Sequence, residues 1–343
     1  MEKTPRVNIK DIAAAAGVSP STASVVLNNK GNEFRISPET REKVLDTARQ
    51  MGYRQTQRTR QKYSSRSKSL WCMFSPTSFD RGPTAQFFAG VNNYLRSNHL
   101  PIETVIFPFE RGRLCDKADW ISRSFTSGAI MTALNDDDMD FIQNTDFDIS
   151  IVLCNRTARN YYSVSTDEYA TGQHAMAHFV KRGHRRFGLI SPNYSSRSLS
   201  LRIVGFRDRF QSYGFDPDGA CIAPIAYGDD SYEGGFAAMK AILDGTERPS
   251  AILVLNDIMV AGVLHCIQQN GYSVPGDFEI ISNGNTAINT LLFPTITSFS
   301  VPTEQMSYDC AKILHNAIEN GILSDNVNRI YDAELVFRQS CPE

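Results

Sequence analysis

The sequence predicts a small three-helix unit at the amino terminus, a polar linker, and a larger α/β body with parallel sheets. Three observations predict this order. Closely spaced helix start and stop signals occur before residue 55, a basic polar run follows over residues 54–69, and short apolar runs alternate with helical patterns from residue 70 onward. With 343 residues, the chain is long enough for a small head and about two domains of ordinary size.

The first two helices are predicted from their caps. Asn8 can cap a helix whose apolar residues recur at helical spacing until Gly17 permits a tight turn. Ser19 supplies a second cap, and the proline that follows it suits the first position of a helix over residues 20–28. Two helices separated by one tight turn are typical of a helix-turn-helix unit.

A third helix is predicted to begin at the pair Ser37 and Pro38 and to end at Gly52, with apolar residues on one face. Three short helices of this kind can share one small core. In a helix-turn-helix unit, the second helix lies in the major groove of duplex DNA. Capped helices also form ordinary helical hairpins, so the pattern alone leaves both interpretations open.

Charge is divided unevenly along the chain. Residues 1–68 contain fourteen Lys and Arg against six Asp and Glu, a net charge of +8, whereas the whole chain has a net charge of -2. A basic head on an acidic body is typical of a protein that binds phosphates at one end. The charge therefore favours double-stranded DNA as the partner of the head.

The amino-terminal stretch resembles the DNA-binding domain of the lactose repressor and galactose repressor family of bacterial transcription regulators. The segments I-K-D-I-A, A-G-V-S, V-L-N, S-P-E-T-R-E-K-V and M-G-Y-R occur in the order found in that family. The resemblance implies a sequence-specific DNA-binding transcription regulator, most often a repressor, which binds a pseudopalindromic operator as a homodimer. DNA contacts are expected from Asn8, Ser19, Ser21, Thr22, Ser24, Val25, Asn28, Arg35, Tyr53, Arg58 and Lys62.

The chain departs from the family pattern at several places in this DNA-binding part, which include a longer loop before Ser37 and Gln55 in place of a proline. Val25 stands where many relatives carry a polar or basic residue, and an apolar side chain can only pack against a group such as a thymine methyl. Lys62 replaces the leucine that family members insert into the minor groove. The linker is therefore predicted to hold phosphates through Arg58, Arg60 and Lys62. The alternative is a basic tether that stays disordered.

From residue 70 onward, apolar runs alternate with helical patterns. The runs L-W-C-M-F, E-T-V-I-F, G-A-I-M-T, I-S-I-V-L-C, F-G-L-I-S, A-I-L-V-L and E-I-I-S are continuous, which favours buried parallel strands. Helices are predicted over residues 87–98, 172–182, 201–213, 234–244 and 258–270. Repeated strand and helix units predict an α/β architecture, in which ligands bind at the carboxyl ends of the strands.

This body resembles the two-lobed, periplasmic-binding-protein-like core of the same family, notably at S-T-D-E-Y-A-T-G and L-N-D-I-M-V-A-G. The resemblance implies two lobes around a cleft, with the chain crossing between them near Ser165, Asn289 and Asp325. The predicted domains are residues 1–55 for the helix-turn-helix domain, 56–69 for the hinge or linker, 70–165 plus 290–325 for lobe 1, and 166–289 plus 326–343 for lobe 2.

The resemblance also implies a small-molecule effector between the lobes, a sugar or sugar derivative. The residues expected in the cleft are Phe79, Asp80, Gln86, Thr132, Asp167, Arg202, Asn256 and Asn285. An arginine can donate to two neighbouring oxygens, while Asp and Asn satisfy hydroxyl groups. Arg202 could instead form a surface ion pair, and Asp257 could simply cap its helix. The segment S-N-G-N lacks the acidic residues usual in relatives, which keeps open control by a partner protein.

The sequence contains no dinucleotide fingerprint, P-loop, nucleophile elbow or paired metal-ligand motif, so an enzyme with a DNA-binding head is disfavoured. Neither a cofactor nor a metal is expected, and the seven scattered cysteines are predicted to be reduced thiols. Without an apolar run of about 20 residues, the chain is expected to be cytoplasmic and free of membrane contact. Its end, E-L-V-F-R-Q-S-C-P-E, matches the last strand of the family core without a further heptad segment, which implies dimers rather than tetramers.

Overall fold

The computed structural model of the protein describes residues 9–27, 36–51, 70–77, 81–215, 225–246, 248–321 and 328–343. The chain forms two compact units, residues 1–67 and residues 68–343. The boundary between the units falls inside the segment predicted as a linker. The predicted contribution of that linker to DNA binding concerns residues outside the described ranges.

Three helices form the described part of the first unit: α1 (Ile9–Ala16), α2 (Pro20–Leu27) and α3 (Pro38–Gln50). Gly17 has a φ of 66°, a conformation open to glycine because it has no Cβ, and this permits the tight turn after α1. Buried apolar residues from all three helices form one small core: Ile12, Ala13, Ala16, Ala23, Val26, Val44 and Ala48. The predicted three-helix unit is confirmed.

The second unit contains two six-stranded sheets, and we name the regions around them lobe 1 and lobe 2. The sheet of lobe 1 has the strand order β11-β5-β4-β3-β1-β2, and all of these pairs are parallel. Its strands are β1 (Leu70–Pro76), β2 (Glu103–Phe109), β3 (Gly128–Thr132), β4 (Ser150–Cys154), β5 (Tyr162–Thr166) and β11 (Asn328–Tyr331).

The sheet of lobe 2 has the strand order β12-β10-β9-β8-β6-β7. Its pairs are parallel except for β10 with β12, which is antiparallel. Its strands are β6 (Phe187–Pro192), β7 (Ala226–Gly228), β8 (Ala251–Val254), β9 (Glu279–Asn283), β10 (Thr297–Ser300) and β12 (Glu334–Val336).

Helices cover both faces of each sheet, as buried parallel strands require. In lobe 1, apolar residues of α4 (Arg81–Ser97) and α11 (Thr303–Asn320) pack on one face, and α5 (Asp136–Gln143) contributes to the core on the other. Lobe 2 carries one core with α8 (Tyr232–Asp244) and α9 (Asp257–Gln269) and a second core with the remaining long helices. Those helices are α6 (Glu168–Lys181) and α7 (Arg197–Ser212), and a short α10 (Ile288–Leu291) follows β9.

The chain crosses between the lobes at three places, but two of them lie later than predicted. The first crossing follows β5, close to the predicted Ser165. The second lies between β10, which pairs with β9 in lobe 2, and α11, so residues 290–300 belong to lobe 2 rather than lobe 1. The third lies between β11, which pairs with β5, and β12, so β11 belongs to lobe 1. The pairing of strands, a long-range property, decides both corrections.

Candidate functional site

A cavity of about 190 Å³ lies between the two lobes, at the carboxyl ends of strands from both sheets. Lobe 1 contributes residues that follow β2, β3 and β4, and lobe 2 contributes residues that follow β6, β7, β8 and β9. This is the edge at which parallel α/β sheets bind ligands. An engineered cavity of about 150 Å³ accommodates a benzene ring, so this cavity has room for one six-membered ring.

Arg202 is the central charged residue of the lobe 2 side. Its Nε donates to Oε2 of Glu168 at 2.6 Å, and its Nη1 donates to the carbonyl oxygen of Leu255 at 2.7 Å. Both side chains of the ion pair are 6% exposed and line the cavity. Arg202 therefore contributes to the cavity as predicted, and the alternative of a surface ion pair is wrong because the pair is buried.

Two glycines bring the helices that carry this ion pair close together. A Cβ added to Gly172 in α6 would lie 2.0 Å from the carbonyl oxygen of Arg202, and one added to Gly205 in α7 would lie 2.0 Å from that of Tyr169. Contacts this short are impossible, so only glycine fits at either position. The close packing of α6 on α7 sets the distance between Glu168 and Arg202.

Asn256 and Asp230 form the second polar group of the lobe 2 side. Asn256 Nδ2 donates to Asp230 Oδ1 at 2.8 Å, and both residues line the cavity. Asn256 is also the N-cap of α9, whereas Asp257, the residue considered for that role, is the first helical residue. The Asp257 carboxylate accepts hydrogen bonds from the Ser282 hydroxyl at 2.6 Å and the Thr286 amide at 2.7 Å, and so fixes the loop that follows β9.

Several residues predicted in the cleft lie elsewhere. Asp167 is the N-cap of α6 and accepts from the Ala170 amide at 2.8 Å, while its neighbour Glu168 reaches the cavity. The Asn285 side chain accepts a hydrogen bond from Arg338 Nη2 at 2.6 Å and does not line the cavity, whereas its neighbours Gly284 and Thr286 do. Gln86 is exposed on α4 and does not line the cavity. Phe79 and Asp80 lie outside the described residues. Thr132 lines the cavity as predicted.

The cavity residues that were not predicted include Glu168 and Asp230, described above, and also Arg111, Arg156 and Tyr194. Arg156 is 4% exposed and donates from Nε to the carbonyl oxygen of Leu134 at 2.6 Å. The Arg111 guanidinium carbon lies 3.7 Å from the ring centroid of Tyr194, so this contact joins lobe 1 to lobe 2 across the cavity. Each of the last three follows a strand, β2, β4 or β6, so the rule of ligand binding at strand ends could have found them.

Burial perturbs two of these groups. Burial lowers the pKa of Arg156, and the neighbouring Asp136 only partly opposes the change. Burial raises the pKa of the Tyr194 phenol. Asp230 raises this pKa further, and Arg111 lowers it. Arg156 nevertheless remains a cation, because arginine is not deprotonated in proteins, and the raised pKa of Tyr194 keeps its phenol a neutral donor.

In the first unit, the predicted DNA-binding residues lie at the start of α2. The Ser19 hydroxyl accepts from the Thr22 amide at 3.1 Å and hydrogen-bonds the hydroxyls of Ser21 and Thr22 at 2.7 and 2.8 Å. Ser21 is exposed, whereas Ser24 and Val25 are half-buried. Such a cluster of hydroxyl groups at a helix start can donate to phosphate oxygens or base edges. The other predicted DNA contacts lie outside the described residues: Asn8, Asn28, Arg35, Tyr53, Arg58 and Lys62.

The described residues contain no group of three or more His, Cys, Asp and Glu side chains that could hold a metal ion. Six cysteines fall in the described ranges, and each is a free thiol. None of the described helices is long and apolar enough to cross a membrane.

Two family models match the chain. Residues 8–55 match the model of the bacterial regulatory proteins of the lacI family, and residues 176–341 match a periplasmic binding protein-like domain. Together the two matches cover more than half of the chain. The chain belongs to the lacI family. It thus combines the regulatory helix-turn-helix domain of that family with a periplasmic-binding-protein-like core, as the sequence predicted.

Relatives of known name match over almost the full chain. The HTH-type transcriptional regulator CelR of Thermobifida fusca is 25% identical over 99% of this chain and 100% of its own length. Catabolite control protein A of Priestia megaterium is 24% identical over 97% of this chain and 99% of its own length. The first is named as a transcriptional regulator and the second as a control protein, which agrees with membership of this family.

Solved structures share the fold. The CelR–cellobiose complex has a TM-score of 0.71 at 23% identity and covers 98% of this chain and 100% of its own. The lac repressor dimer bound to operator and the anti-inducer ONPF also has a TM-score of 0.71, at 20% identity over 99% of this chain and 100% of its own. At these identities, the likeness is one of fold.

Proposed function

We propose that this protein is a sequence-specific DNA-binding repressor of transcription, controlled by a sugar or sugar derivative that binds in the cavity between the lobes. The observation that carries this proposal is the cavity itself, which is lined by residues of both lobes in a chain that also has a helix-turn-helix head. Family membership supports the regulatory role. Regulation of transcription requires access to the chromosome, so we place the protein in the cytoplasm and assign it no catalytic role.

The polar groups of the cavity suit a hydroxylated ligand. Arg202 is a cationic donor, and Asp230 and Asn256 supply acceptors and a donor on the same side. A buried hydroxyl needs both kinds of partner. Two relatives in fold were solved with sugars, CelR with cellobiose and a regulator of Enterococcus faecium with ribose, which supports the same ligand class here.

Control follows if the effector binds one relative position of the lobes better than another. A tenfold change in operator affinity requires a coupling free energy of only about 1.4 kcal/mol. Arg111 of lobe 1 already contacts Tyr194 of lobe 2, so a ligand that changes this contact changes the balance between lobe positions.

An in vitro selection of random duplex DNA on the purified full chain tests the proposed function. We expect enrichment of a two-fold symmetric site, because a dimer presents two heads to two half-sites. The absence of enrichment at moderate salt would contradict a sequence-specific regulator.

A panel of sugars, each tested by thermal unfolding of the protein, then tests the effector class. A ligand at 100 times its dissociation constant stabilises the folded protein by about 2.7 kcal/mol. No response to any sugar would favour control by a partner protein.

We expect Thr22→Ala to weaken binding to the selected site about tenfold, because a lost contact to a base or phosphate costs roughly 1–3 kcal/mol. The matched control is Thr40→Ala. Thr40 bonds the cap Ser37 at the start of α3 with the same 2.8 Å hydroxyl contact that Thr22 makes to Ser19. Fluorescence anisotropy with labelled operator measures both variants. Equal losses for Thr22→Ala and Thr40→Ala would mean that helix capping, and not DNA contact, is responsible.

We propose that the protein is a homodimer. Lobe 2 exposes two large apolar side chains at the end of α10 and just after it, Leu291 at 81% and Phe293 at 79% exposure. Lobe 1 exposes Val105 and Ile106 on the edge strand β2. Apolar side chains exposed to this degree, two on each lobe and near each other in sequence within each pair, indicate an interface. We expect Phe293→Asp to give monomers in light scattering at micromolar concentration, whereas Val204→Asp on the outer face of α7 leaves a dimer. A monomeric parent protein, or a tetramer, would contradict the proposal.

A further inference from the structure

Arg156 is a buried cation with unused donors. It lies just after β4, lines the cavity and is 4% exposed. Its Nε is bonded to a carbonyl oxygen, but Nη2 is buried without a hydrogen-bond partner, and Asp136 Oδ1 lies 3.8 Å from it, beyond hydrogen-bond reach. Leaving a buried charged donor without a hydrogen-bond acceptor is unfavourable, and a bound ligand that accepts from it removes this cost.

Arg111 has the same property on the same lobe. Its guanidinium lies over the Tyr194 ring, and its Nε is buried without a partner. Arg111 also lowers the pKa of Arg156, after burial itself and together with Arg197, so the two cations are close enough to repel each other. Two neighbouring cations with unsatisfied donors form a site that an anion would stabilise.

The carboxylates of the cavity do not balance these two arginines. Glu168 and Asp230, the carboxylates that line the cavity among the described residues, both come from lobe 2. Glu168 is paired with Arg202, and Asp230 accepts from Asn256. The described residues of lobe 1 that line the cavity include Arg111 and Arg156 but no Asp or Glu. The Asp136 carboxylate of lobe 1 lies 3.8 Å from Arg156 Nη2 but does not line the cavity, so the described cavity wall on the lobe 1 side presents positive charge to a ligand.

We propose that the effector is an anionic sugar derivative, and that Arg111 and Arg156 bind its carboxylate or phosphate group while its ring lies toward Arg202 and Asn256. The inference rests on the proposed function, which gives the ligand class as a sugar, and adds that this ligand carries a negative charge. The volume of about 190 Å³ accommodates one ring with one such substituent. Because Arg111 also contacts Tyr194 of the other lobe, anion binding acts directly on a contact between the lobes.

The test compares a neutral sugar with its anionic derivatives, by isothermal calorimetry on the full chain at constant ionic strength. The probes are glucose, glucuronate, gluconate and glucose 6-phosphate, the same set built on galactose, and inorganic phosphate alone. We expect at least one anionic sugar to bind about tenfold or more tightly than its neutral parent, because charge-assisted hydrogen bonds are about twice as strong as neutral ones. Whether a carboxylate or a phosphate is preferred identifies the source of the charge.

Variants locate the anion. Arg111→Gln and Arg156→Gln are each expected to remove most of the preference for the anionic sugar while changing the affinity of the neutral parent by less than about threefold. Arg156→Lys keeps the charge and should retain part of the preference. This second variant keeps the test decisive if Arg156→Gln fails to fold. Arg113→Gln is the matched control, because Arg113 lies in the same loop as Arg111 with a side chain 63% exposed.

Three results would overturn the inference: a neutral sugar that binds as tightly as its anionic derivatives, variants that weaken both forms equally, or no binding by any anionic probe. In each case, an enriched operator from the DNA selection would leave the proposed regulator standing. The absence of an enriched operator, together with selective anion binding, would instead contradict the proposed function and keep the anion site.

Discussion

Replacing Arg202 with Met is expected to destabilise the protein by about 3–5 kcal/mol and to abolish its response to the effector, because an uncompensated charge remains buried. Glu168 is 6% exposed, and its Oε2 loses the 2.6 Å hydrogen bond from Arg202. The Leu255 carbonyl loses a donor as well. Urea unfolding measures the stability, and operator binding with and without effector measures the response.

A second substitution separates the two effects. Adding Glu168→Gln to Arg202→Met removes the stranded charge, so we expect the double variant to recover much of the lost stability without recovering the effector response. Arg207→Met is the control, because Arg207 is an exposed residue of the same helix. If Arg202→Met were as stable as the parent, or the double variant no more stable than the single one, the buried ion pair would not be the cause.

The head could be predicted from sequence because its signals are local. Ser19 and Ser37 each cap the helix that follows, and Gly17 has the positive φ that its position implied. Such caps act within four residues of the chain. The predicted bounds of the three helices therefore agree closely with those of the structure.

The body was predicted less completely, because some of its strands are buried without being apolar. All seven predicted apolar runs are strands, but β5 (Y-S-V-S-T) and β10 (T-S-F-S) carry hydroxyl side chains and are nevertheless buried. Their hydroxyls are satisfied by distant partners, as when Thr297 donates to the carbonyl oxygen of Cys341 at 2.7 Å. A single sequence does not reveal such partners. The second crossing was misplaced because β10 was missed, and the third because the pairing of β11 with β5 was missed.

The cleft residues, too, were predicted only in part. Thr132, Arg202 and Asn256 were found because family motifs carry them, whereas Asp167 and Asn285 were each one or two residues away from the side chains that line the cavity. One residue of shift turns a strand-end side chain to a different direction. Arg111 and Arg156 belong to no family motif, and only their positions just after β2 and β4 point to the cavity.

Glu279→Gln is expected to destabilise the protein by about 3 kcal/mol at neutral pH, with a loss that disappears in acid. Glu279 is 8% exposed and accepts hydrogen bonds from Arg182 and His184 at 2.5 and 2.9 Å and from the Cys341 thiol at 3.2 Å. Burial alone would raise its pKa, but these hydrogen bonds outweigh burial and lower the pKa from 4.5 to about 2. The carboxylate thus joins the end of α6, the start of β9 and the carboxyl-terminal residues.

The sign of the pH dependence follows from the lowered pKa. Stabilisation by the Glu279 carboxylate is complete above its unfolded-state pKa of 4.5 and is lost as the pH falls toward 2. Urea unfolding of parent and variant should therefore converge over this range. Asp244→Asn, which breaks an exposed pair with Lys240, should cost at most about 1 kcal/mol. A protonated glutamic acid is neutral, as glutamine is, so a loss of unfolding free energy that is caused by ionisation must disappear once the carboxylate is protonated. If the loss in Glu279→Gln stayed constant down to the acid limit of folding, packing and not ionisation would be responsible.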